Sequence, residues 1–191
     1  MSYTVIIPIH NEEKILPDLL RSLKPISVNN EILIINDGST DNSKQILKKC
    51  DFINLYKFPK NLGKGEAIKL GIDKAINEKI IISDGDMEIK PSYLKDIMIL
   101  NENNNIRFVL GNRFDYINPL ISIWNFGNYA FTKLFNFFHN ANFIDALSCA
   151  KAFYKKDVDL EKLSASGFDI DVELSIHLIR KIKDRNKIKF V

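Results

Sequence analysis

The sequence predicts an α/β fold with a mostly parallel central sheet and helices on both faces. Two observations lead to this fold class. Short runs of branched apolar residues, each the length of a buried strand, alternate with segments of helical spacing. Clusters of turn-forming and helix-capping residues separate the two kinds of segment. With 191 residues, the chain is long enough for a sizeable core, and one domain over residues 1–191 is the economical interpretation.

The first half of the chain follows this alternation. Residues 3–9 (YTVIIPI) and 31–35 (EILII) are short, apolar and rich in β-branched residues, as expected of buried parallel strands. Residues 16–23 have helical spacing, and Pro17 is tolerated because it falls in a first turn. The string DGSTDNS then offers turn residues and helix N-caps for a short helix around residues 45–47.

The second half continues in the same way. Residues 52–58 predict a third strand, and the loop NLGKG (61–65) leads into a helix whose small and branched residues share one stripe. Residues 79–83 predict a fourth strand and residues 107–110 a fifth. Pro91 between them suits the first turn of a helix.

Composition excludes several functional classes. The formal net charge of +3 is too small to indicate a nucleic-acid partner. Cys50 and Cys149 match neither a disulfide framework nor a zinc spacing, which suits a reducing, cytoplasmic compartment. The first apolar run has the length of a strand rather than of a signal peptide, and no run is long enough to span a membrane. We therefore expect a protein that is not integral to a membrane.

Three polar clusters follow three of the predicted strands: HNEE (10–13), NDGS (36–39) and DGDME (84–88). The carboxyl ends of parallel strands share one edge of a sheet, and ligands of such folds bind beyond that edge. Residues far apart in sequence should therefore converge there on one site.

The third cluster places three carboxylates, Asp84, Asp86 and Glu88, directly after a buried strand. If the segment stays extended, the three side chains point the same way and repel one another unless a cation lies between them. Oxygen ligands favour magnesium or manganese, which usually bridge to substrate phosphates. The alternative is a hydrated Asp-Gly-Asp turn.

The loop NLGKG has two possible explanations. It lacks the Walker pattern, but Gly63 and Gly65 would let backbone N–H groups and Lys64 approach an anion at a helix N-terminus. Tight packing of the helix start explains the glycines equally well. A dinucleotide fingerprint and a Gly-x-Ser-x-Gly motif are both absent from the sequence.

Three other segments have a structural and a functional interpretation. The acidic residues in GFDIDVEL (167–174) complement a helix dipole, or one of them faces an acceptor or a cation. The aromatic segment 114–143, which contains Lys133, suits either core packing or a lipid interface. The basic segment 177–189 is a solvated helix face or lies near anionic lipid.

Six motifs occur in the order found in a known family: VIIPIHNEE, INDGSTDNS, NLGKGEAIKLG, DGDME, GNRF and GFDIDVEL. Together they resemble the family-two glycosyltransferases, which have the GT-A fold, a single Rossmann-like domain. Within that family the set looks most like the dolichyl- or polyprenyl-phosphate sugar synthases. The resemblance implies inverting transfer of a sugar from a UDP- or GDP-sugar donor to a lipid-phosphate acceptor.

The resemblance also implies roles for individual residues of the donor site. Pro8, Glu12 and Asp37 match positions that hold the nucleotide, and Asn11 lies in the same motif. Lys64 is the basic residue of the glycine loop and a further candidate donor ligand.

In the DGDME cluster, the resemblance implies an Asp-x-Asp motif. Asp86 would be the direct metal ligand, and Asp84 would lie near the metal or the ribose. Glu88 stands where the synthases commonly have a metal-binding Gln. A bound divalent ion would stabilise the charge that builds on the departing diphosphate.

The acceptor side is less uniform. Arg113 in GNRF resembles an acceptor-phosphate ligand, and a surface ion pair is its alternative role. The synthases usually carry a second arginine before the aromatic helix, but ISIWNFGN has no basic residue, and Cys149 replaces a glycine of their pattern. A sugar-hydroxyl acceptor would require a general base, for which Asp145 and Asp171 are the candidates.

The leading hypothesis is a glycosyltransferase that acts peripherally at the cytosolic face of a membrane, with contact through segment 114–143 and the basic C-terminus. One alternative is a transferase that extends a polysaccharide or glycan at a hydroxyl. Another is a catalytically silent scaffold that binds nucleotide sugars. The last residues, NKIKFV, look like the start of a strand that relatives continue, so we expect a truncated or minimal version of the fold.

Overall fold

The computed structural model describes residues 2–112, 123–139 and 143–191. Its centre is a seven-stranded sheet with strand order β3-β2-β1-β4-β6-β5-β7. The strands are β1 Tyr3–Ile9, β2 Glu31–Asp37, β3 Asn54–Phe58, β4 Lys79–Ile82, β5 Phe108–Leu110, β6 Lys151–Tyr154 and β7 Ile188–Phe190. Only β6 runs antiparallel to its neighbours, so the prediction of a mostly parallel sheet is confirmed.

Six α-helices surround the part of the sheet that the structure describes. They are α1 Leu16–Ser27, α2 Ser43–Lys48, α3 Lys64–Lys74, α4 Leu94–Ile97, α5 Ile123–His139 and α6 Ile170–Ile182. Helices α3 and α6 pack on one face, while α1, α2 and α4 pack on the other. Helices therefore cover both faces, as predicted.

The strand sequences explain why helices cover both faces of the sheet. Successive side chains of a strand point to opposite faces. In β1, Ile6 belongs to the core under α3 and α6, whereas Val5 and Ile7 belong to the core under α1. Because both faces are buried, the strand has to be apolar without interruption, which is the pattern YTVIIPI.

Most predicted elements are present, with shifted ends. Helix α1 continues to Ser27 with Pro25 inside it, β2 continues to Asp37, and β3 begins two residues late, at Asn54. Pro91 opens a 3-10 turn that leads into α4, as its position indicated. Strand β6 was not predicted, because its sequence KAFY begins with a lysine that is fully buried.

Helix α5 is partly core and partly surface. Phe135 is buried and packs edge-on against Phe143 at 5.3 Å between ring centroids. Phe126, Leu134 and Phe137 on the same helix are exposed, Phe137 to 81%. Core packing therefore accounts for Phe135, and the lipid interface remains a prediction for the exposed residues. Among the described residues, no helix combines the length and apolarity needed to cross a membrane.

Candidate active site

The loops that follow β1, β2, β3 and β4 enclose a cleft of about 270 Å³ at the carboxyl edge of the sheet. The three polar clusters converge there, as predicted. The cleft is lined by Pro8, Ile9, His10, Glu12, Asp37, Asn61, Gly63, Lys64, Asp84, Gly85, Asp86, Gly167 and Phe168.

Asp37, at the end of β2, organises one wall of the cleft. It is buried, and its two carboxylate oxygens accept hydrogen bonds from the backbone N–H groups of Leu62 (2.7 Å) and Gly63 (2.9 Å). Its backbone carbonyl oxygen lies 2.6 Å from His10 Nδ1. Because a carbonyl can only accept, His10 donates from Nδ1. Asp37 thus ties together the first and third loops of the site.

Asn11 joins the first two loops and is absent from the cleft lining. Its backbone is left-handed, with φ of 58°, and its side-chain oxygen accepts a hydrogen bond from Thr40 N at 2.8 Å. Its own N–H donates to Ser39 Oγ at 3.0 Å. These contacts show that Asn11 holds the first two loops together. Binding of the nucleotide-sugar donor, which the sequence predicted for Asn11, stays a prediction.

The neighbouring Glu12 does line the cleft. Partial burial, together with the negative charges of Asp86 and Asp41, raises the pKa of its carboxyl. A carboxylate held among like charges in this way favours a cationic or hydrogen-bond-donating ligand.

The glycines of NLGKG are explained by packing. Gly63 has φ of +99°, and a Cβ there would lie 2.2 Å from Ser166 O. A Cβ on Gly65 would lie 2.4 Å from Ala165 O, and Gly65 N donates to Ser166 O at 2.7 Å. Of the two explanations offered by the sequence, the structure therefore shows the tight approach of a loop, residues 163–169, to the start of α3.

That loop is itself held by α6. Glu173 accepts hydrogen bonds from Ser164 N (2.9 Å) and Ala165 N (2.8 Å). The acidic residues of GFDIDVEL thus have distinct tasks. Glu173 fixes the loop, Asp169 accepts from Gly167 N at 3.1 Å, and Asp171 turns inward.

Four charged side chains form a row that starts at the cleft wall and continues behind it. We call this row the charge chain: Lys151, Asp171, Lys64 and Asp84. Lys151 Nζ lies 3.0 Å from Asp171 Oδ1, and Asp171 Oδ2 lies 2.7 Å from Lys64 Nζ. Lys64 Nζ also lies 2.6 Å from Asp84 Oδ1. All four are largely buried, with side-chain exposures of 0%, 8%, 8% and 20% in that order.

Burial and ion pairing shift the pKa values of these residues in different directions. Burial alone would raise the pKa of Asp171, but two lysines outweigh burial and lower it. Burial alone would lower the pKa of Lys64, but Asp171 and Asp84 outweigh it and raise the pKa. Burial raises the pKa of Asp84, and Asp171 adds to the increase. Lys64, which also pairs with Asp171, lowers the pKa of Asp84, but by less than burial raises it. Lys64 thus gains from two carboxylates, whereas Asp84 has one lysine to set against burial and the charge of Asp171.

The DGDME segment departs from the extended conformation on which its prediction was based. Strand β4 ends at Ile82, and Met87 has a left-handed backbone with φ of 59°. The three carboxylates therefore do not share one side: Asp84 and Asp86 line the cleft, and Glu88 does not. Asp86 Oδ1 accepts a hydrogen bond from Glu88 N at 2.9 Å. Within the described ranges, no set of three or more potential ligands is arranged to hold a metal ion.

Asp84 nevertheless has a property that suits a cation. Its Oδ1 is buried and makes no hydrogen bond, but it lies 2.6 Å from the Lys64 ammonium, which donates to Oδ2 at 2.8 Å. The Asp84 carboxylate therefore already faces a positive charge. Mg²⁺ and Mn²⁺ commonly use one or two carboxylates and complete their shell with waters and substrate phosphates. Asp84 and Asp86 fit that requirement without a third protein ligand.

Asp145 and Asp171, the two described candidates for the acceptor side, are absent from the cleft lining. Asp145 is buried at 2% exposure, and its Oδ1 accepts from Leu147 N at 3.1 Å. Asp171 has both carboxylate oxygens on lysines. Arg113 lies outside the described residues.

Several lining residues were not singled out as ligands from the sequence, among them His10, Asn61 and Phe168. Phe168 is 78% exposed and lies over Lys64, with Nζ 5.3 Å from the ring centroid. A larger cleft, of about 560 Å³, lies at the opposite edge of the sheet around Lys79 and Glu102, and includes none of the candidate residues.

Comparison with known proteins agrees with this architecture. Residues 4–159 match the family model described as "Glycosyl transferase family 2". Over 127 residues the chain is 33% identical to a dolichyl-phosphate beta-glucosyltransferase of Trichomonas vaginalis, covering 58% of this chain and 39% of that protein. Over 108 residues it is 29% identical to an undecaprenyl-phosphate 4-deoxy-4-formamido-L-arabinose transferase of Proteus mirabilis, covering 52% and 33%.

The fold also matches solved structures. A glucosyl-3-phosphoglycerate synthase of Mycobacterium tuberculosis, 17% identical in sequence, superimposes with a TM-score of 0.77 over 100% of this chain and 69% of that one. The same enzyme has been solved with Mn²⁺, UDP and glucosyl-3-phosphoglycerate, with a TM-score of 0.74, 18% identity and coverage of 100% and 69%. At such identities the likeness concerns the GT-A fold alone.

The matched regions span only about two-fifths or less of the curated relatives' own length. The family match, by contrast, covers most of this chain, and it includes β1, β2 and β4 with the polar loops that build the cleft. Sequence, sheet topology and cleft thus lead to one assignment: the chain belongs to glycosyl transferase family 2.

Proposed function

We propose that this chain binds a nucleoside-diphosphate sugar and a divalent ion in the cleft and transfers the sugar with inversion to a polyprenyl- or dolichyl-phosphate acceptor. The observation that carries the proposal is the pair of carboxylates after β4. Asp84 presents a buried oxygen without a hydrogen bond, and Asp86 lies beside it on the same cleft wall. The names of the curated relatives and the Mn²⁺ and UDP bound by a structural neighbour support this assignment.

The donor half of the reaction follows from the cleft. Pro8, Glu12 and Asp37 line the part formed by β1 and β2 and would hold the nucleoside. Asp84 and Asp86 would hold Mg²⁺ or Mn²⁺, which when bound would act as a Lewis acid on the departing diphosphate. Lys64 brings a second positive charge to the same wall. Inversion requires the acceptor oxygen to attack the anomeric carbon from the side opposite the diphosphate.

The state of Asp171 favours a phosphate over a hydroxyl as the acceptor. A sugar hydroxyl would need a general base, and two lysines hold the pKa of Asp171 below its ordinary range. Asp145 lies outside the cleft lining. A lipid phosphate is already ionised near neutral pH and needs no base. The exposed apolar residues Phe126, Leu134 and Phe137 of α5 suit peripheral contact with the cytosolic membrane face, where such an acceptor resides.

The test of the donor site is calorimetric titration with UDP and with GDP, each with and without Mn²⁺. We expect one nucleotide to bind, with affinity strengthened by the metal. Asp86→Asn should remove that strengthening while leaving the fold intact, because Asp86 is exposed and lies in a turn. Asp18→Asn is the matched control, since Asp18 lies on the surface of α1 in an exposed ion pair. Binding of neither nucleotide by the folded wild type would contradict the proposal and favour a silent scaffold.

The acceptor is tested separately, with polyprenyl phosphate and with a glycan acceptor, after the donor is known. Arg113→Ala should weaken lipid-phosphate binding by on the order of tenfold or more, because it removes a charge-assisted contact. Nucleotide affinity should stay the same. Transfer to the glycan alone would contradict the lipid-phosphate assignment.

A further inference from the structure

Two residues of the charge chain, Lys64 and Asp84, line the cleft, whereas Asp171 and Lys151 lie behind them, with Lys151 at the far end of the chain. Lys151 lies at the start of β6, the antiparallel strand between β4 and β5, and its side chain has 0% exposure. Its ammonium donates to Asp171 Oδ1 at 3.0 Å and to the backbone carbonyl oxygen of Ser148. A buried lysine at the centre of a sheet is expensive unless its charge is matched, so the position calls for an explanation beyond packing.

The contacts of Asp171 supply that explanation. Its two carboxylate oxygens are divided between two cations: Oδ1 faces Lys151, and Oδ2 faces Lys64. Lys64 in turn faces both Asp171 and Asp84. If Lys151 were neutral, the full charge of Asp171 would act on Lys64 alone. The Lys64 ammonium would then be drawn towards Asp171 and away from Asp84, on the cleft wall.

We propose that Lys151 is a positioning residue for the donor site: by neutralising one side of Asp171, it leaves the Lys64 ammonium placed beside Asp84. The effect on donor binding rests on the function proposed above. The placement of Lys64 does not, because it is a property of the ligand-free protein and can be measured without a nucleotide.

The first measurement is the NMR signal of the Lys64 side-chain ammonium, assigned by its loss in Lys64→Arg. We expect Lys151→Met to shift this signal, because the Lys64 ammonium moves closer to Asp171 and further from Asp84. Arg107→Met is the matched control: it removes the cation from Asp157, another buried carboxylate, which Arg107 contacts through Nε at 3.2 Å. That pair lies outside the cleft lining, so the Lys64 signal should not change. An unchanged signal in Lys151→Met, or an equal shift in both variants, would overturn the proposal.

Lys151→Gln covers the case in which the methionine variant does not fold, because it keeps hydrogen-bond donors for Asp171 and Ser148 but removes the charge. The same variants are then titrated with the nucleotide that wild type binds in the presence of Mn²⁺. We expect Lys151→Gln to weaken binding by on the order of tenfold or more, because the displaced Lys64 ammonium loses a charge-assisted contact with the diphosphate. Arg107→Met should lower the melting temperature without changing that affinity.

A purely structural role for Lys151 would lower the melting temperature and leave both the Lys64 signal and the affinity unchanged, which would overturn the proposal. If wild type binds no nucleotide, the proposed function fails. The Lys64 signal alone then decides whether Lys151 positions it.

Discussion

Two asparagine substitutions in the charge chain should change stability in opposite directions. Asp84→Asn and Asp171→Asn each replace a carboxylate by a neutral group of nearly the same shape, and both carboxylates contact the same ammonium. The pKa of Asp84 is raised by folding, whereas that of Asp171 is lowered. A raised carboxyl pKa means that the native state disfavours the charge, and a lowered pKa means that it favours the charge.

The size of each effect follows from these directions. Each unit by which folding raises the pKa of Asp84 costs about 1.4 kcal/mol of stability at neutral pH. Asp84→Asn removes that cost, and in a chain of this size 1 kcal/mol corresponds to roughly 2–4 °C in Tm. Asp171→Asn breaks a buried, doubly paired carboxylate, for which losses of roughly 3–5 kcal/mol are typical. The first variant should therefore melt higher than wild type, and the second about 10 °C lower.

The pH dependence provides an independent check by thermal melting. Asp84 is protonated in both the folded and the unfolded state below its ordinary pKa of 3.8, so the advantage of Asp84→Asn should shrink as the pH falls towards that value. The contribution of Asp171 is complete above 3.8 and is lost only at lower pH, so the loss in Asp171→Asn should persist down to about pH 4. Asp18→Asn, on the surface, is the control. A lower Tm for Asp84→Asn at pH 7 would show that the Lys64 ion pair outweighs burial, which refutes the reasoning.

Three further substitutions probe the site and the core. Lys64→Met should strengthen Mn²⁺ binding to the nucleotide-free protein several-fold, because a resident positive charge beside the metal-facing carboxylate is removed; weaker binding in a Mn²⁺ titration would contradict this. Gly65→Ala should lower stability by roughly 1–3 kcal/mol, because its Cβ would lie 2.4 Å from the backbone oxygen of Ala165; an unchanged urea midpoint would show that the loop moves away freely. Tyr3→Phe should cost roughly 1–3 kcal/mol, because Leu100 N loses its 3.0 Å hydrogen bond to the Tyr3 hydroxyl. Burial raises the pKa of that hydroxyl from 10.0 to about 12, so wild type should lose more stability than the variant as the pH rises from 10 towards 12; equal losses in urea melts would contradict the assignment.

The strands that are easiest to predict are those whose side chains are mostly apolar on both faces. In β1, β2 and β4 runs of buried Ile, Leu and Val fill both faces, so the local pattern already contains most of the information about burial. Strand β6 could not be recognised in this way. Its first residue, Lys151, is buried only because Asp171, twenty residues later, neutralises it, and no local pattern contains that partner.

The same distinction holds at the site. The convergence of the three polar loops follows from strand direction alone, so the sequence was sufficient to predict it. The partners of the individual side chains depend on how distant segments pack. Lys64 binds carboxylates of its own chain, and Phe168 reaches the cleft on a loop held by Glu173. The left-handed backbone that separates Glu88 from the cleft falls on Met87, which is not a glycine, so the local sequence gives no sign of it.

The docking of loop 163–169 on the start of α3 has a consequence for how the protein is made. Gly65 meets Ser166, and Lys64 meets Asp171, 107 residues further along the chain. Contacts between such distant residues form late, because a long intervening segment must first be ordered. During synthesis, β1, β2, β3 and α3 emerge from the ribosome well before α6 exists. The nascent chain can therefore pair its first three strands while Lys64 still lacks Asp171, and completion of the cleft is expected to be among the last events of folding.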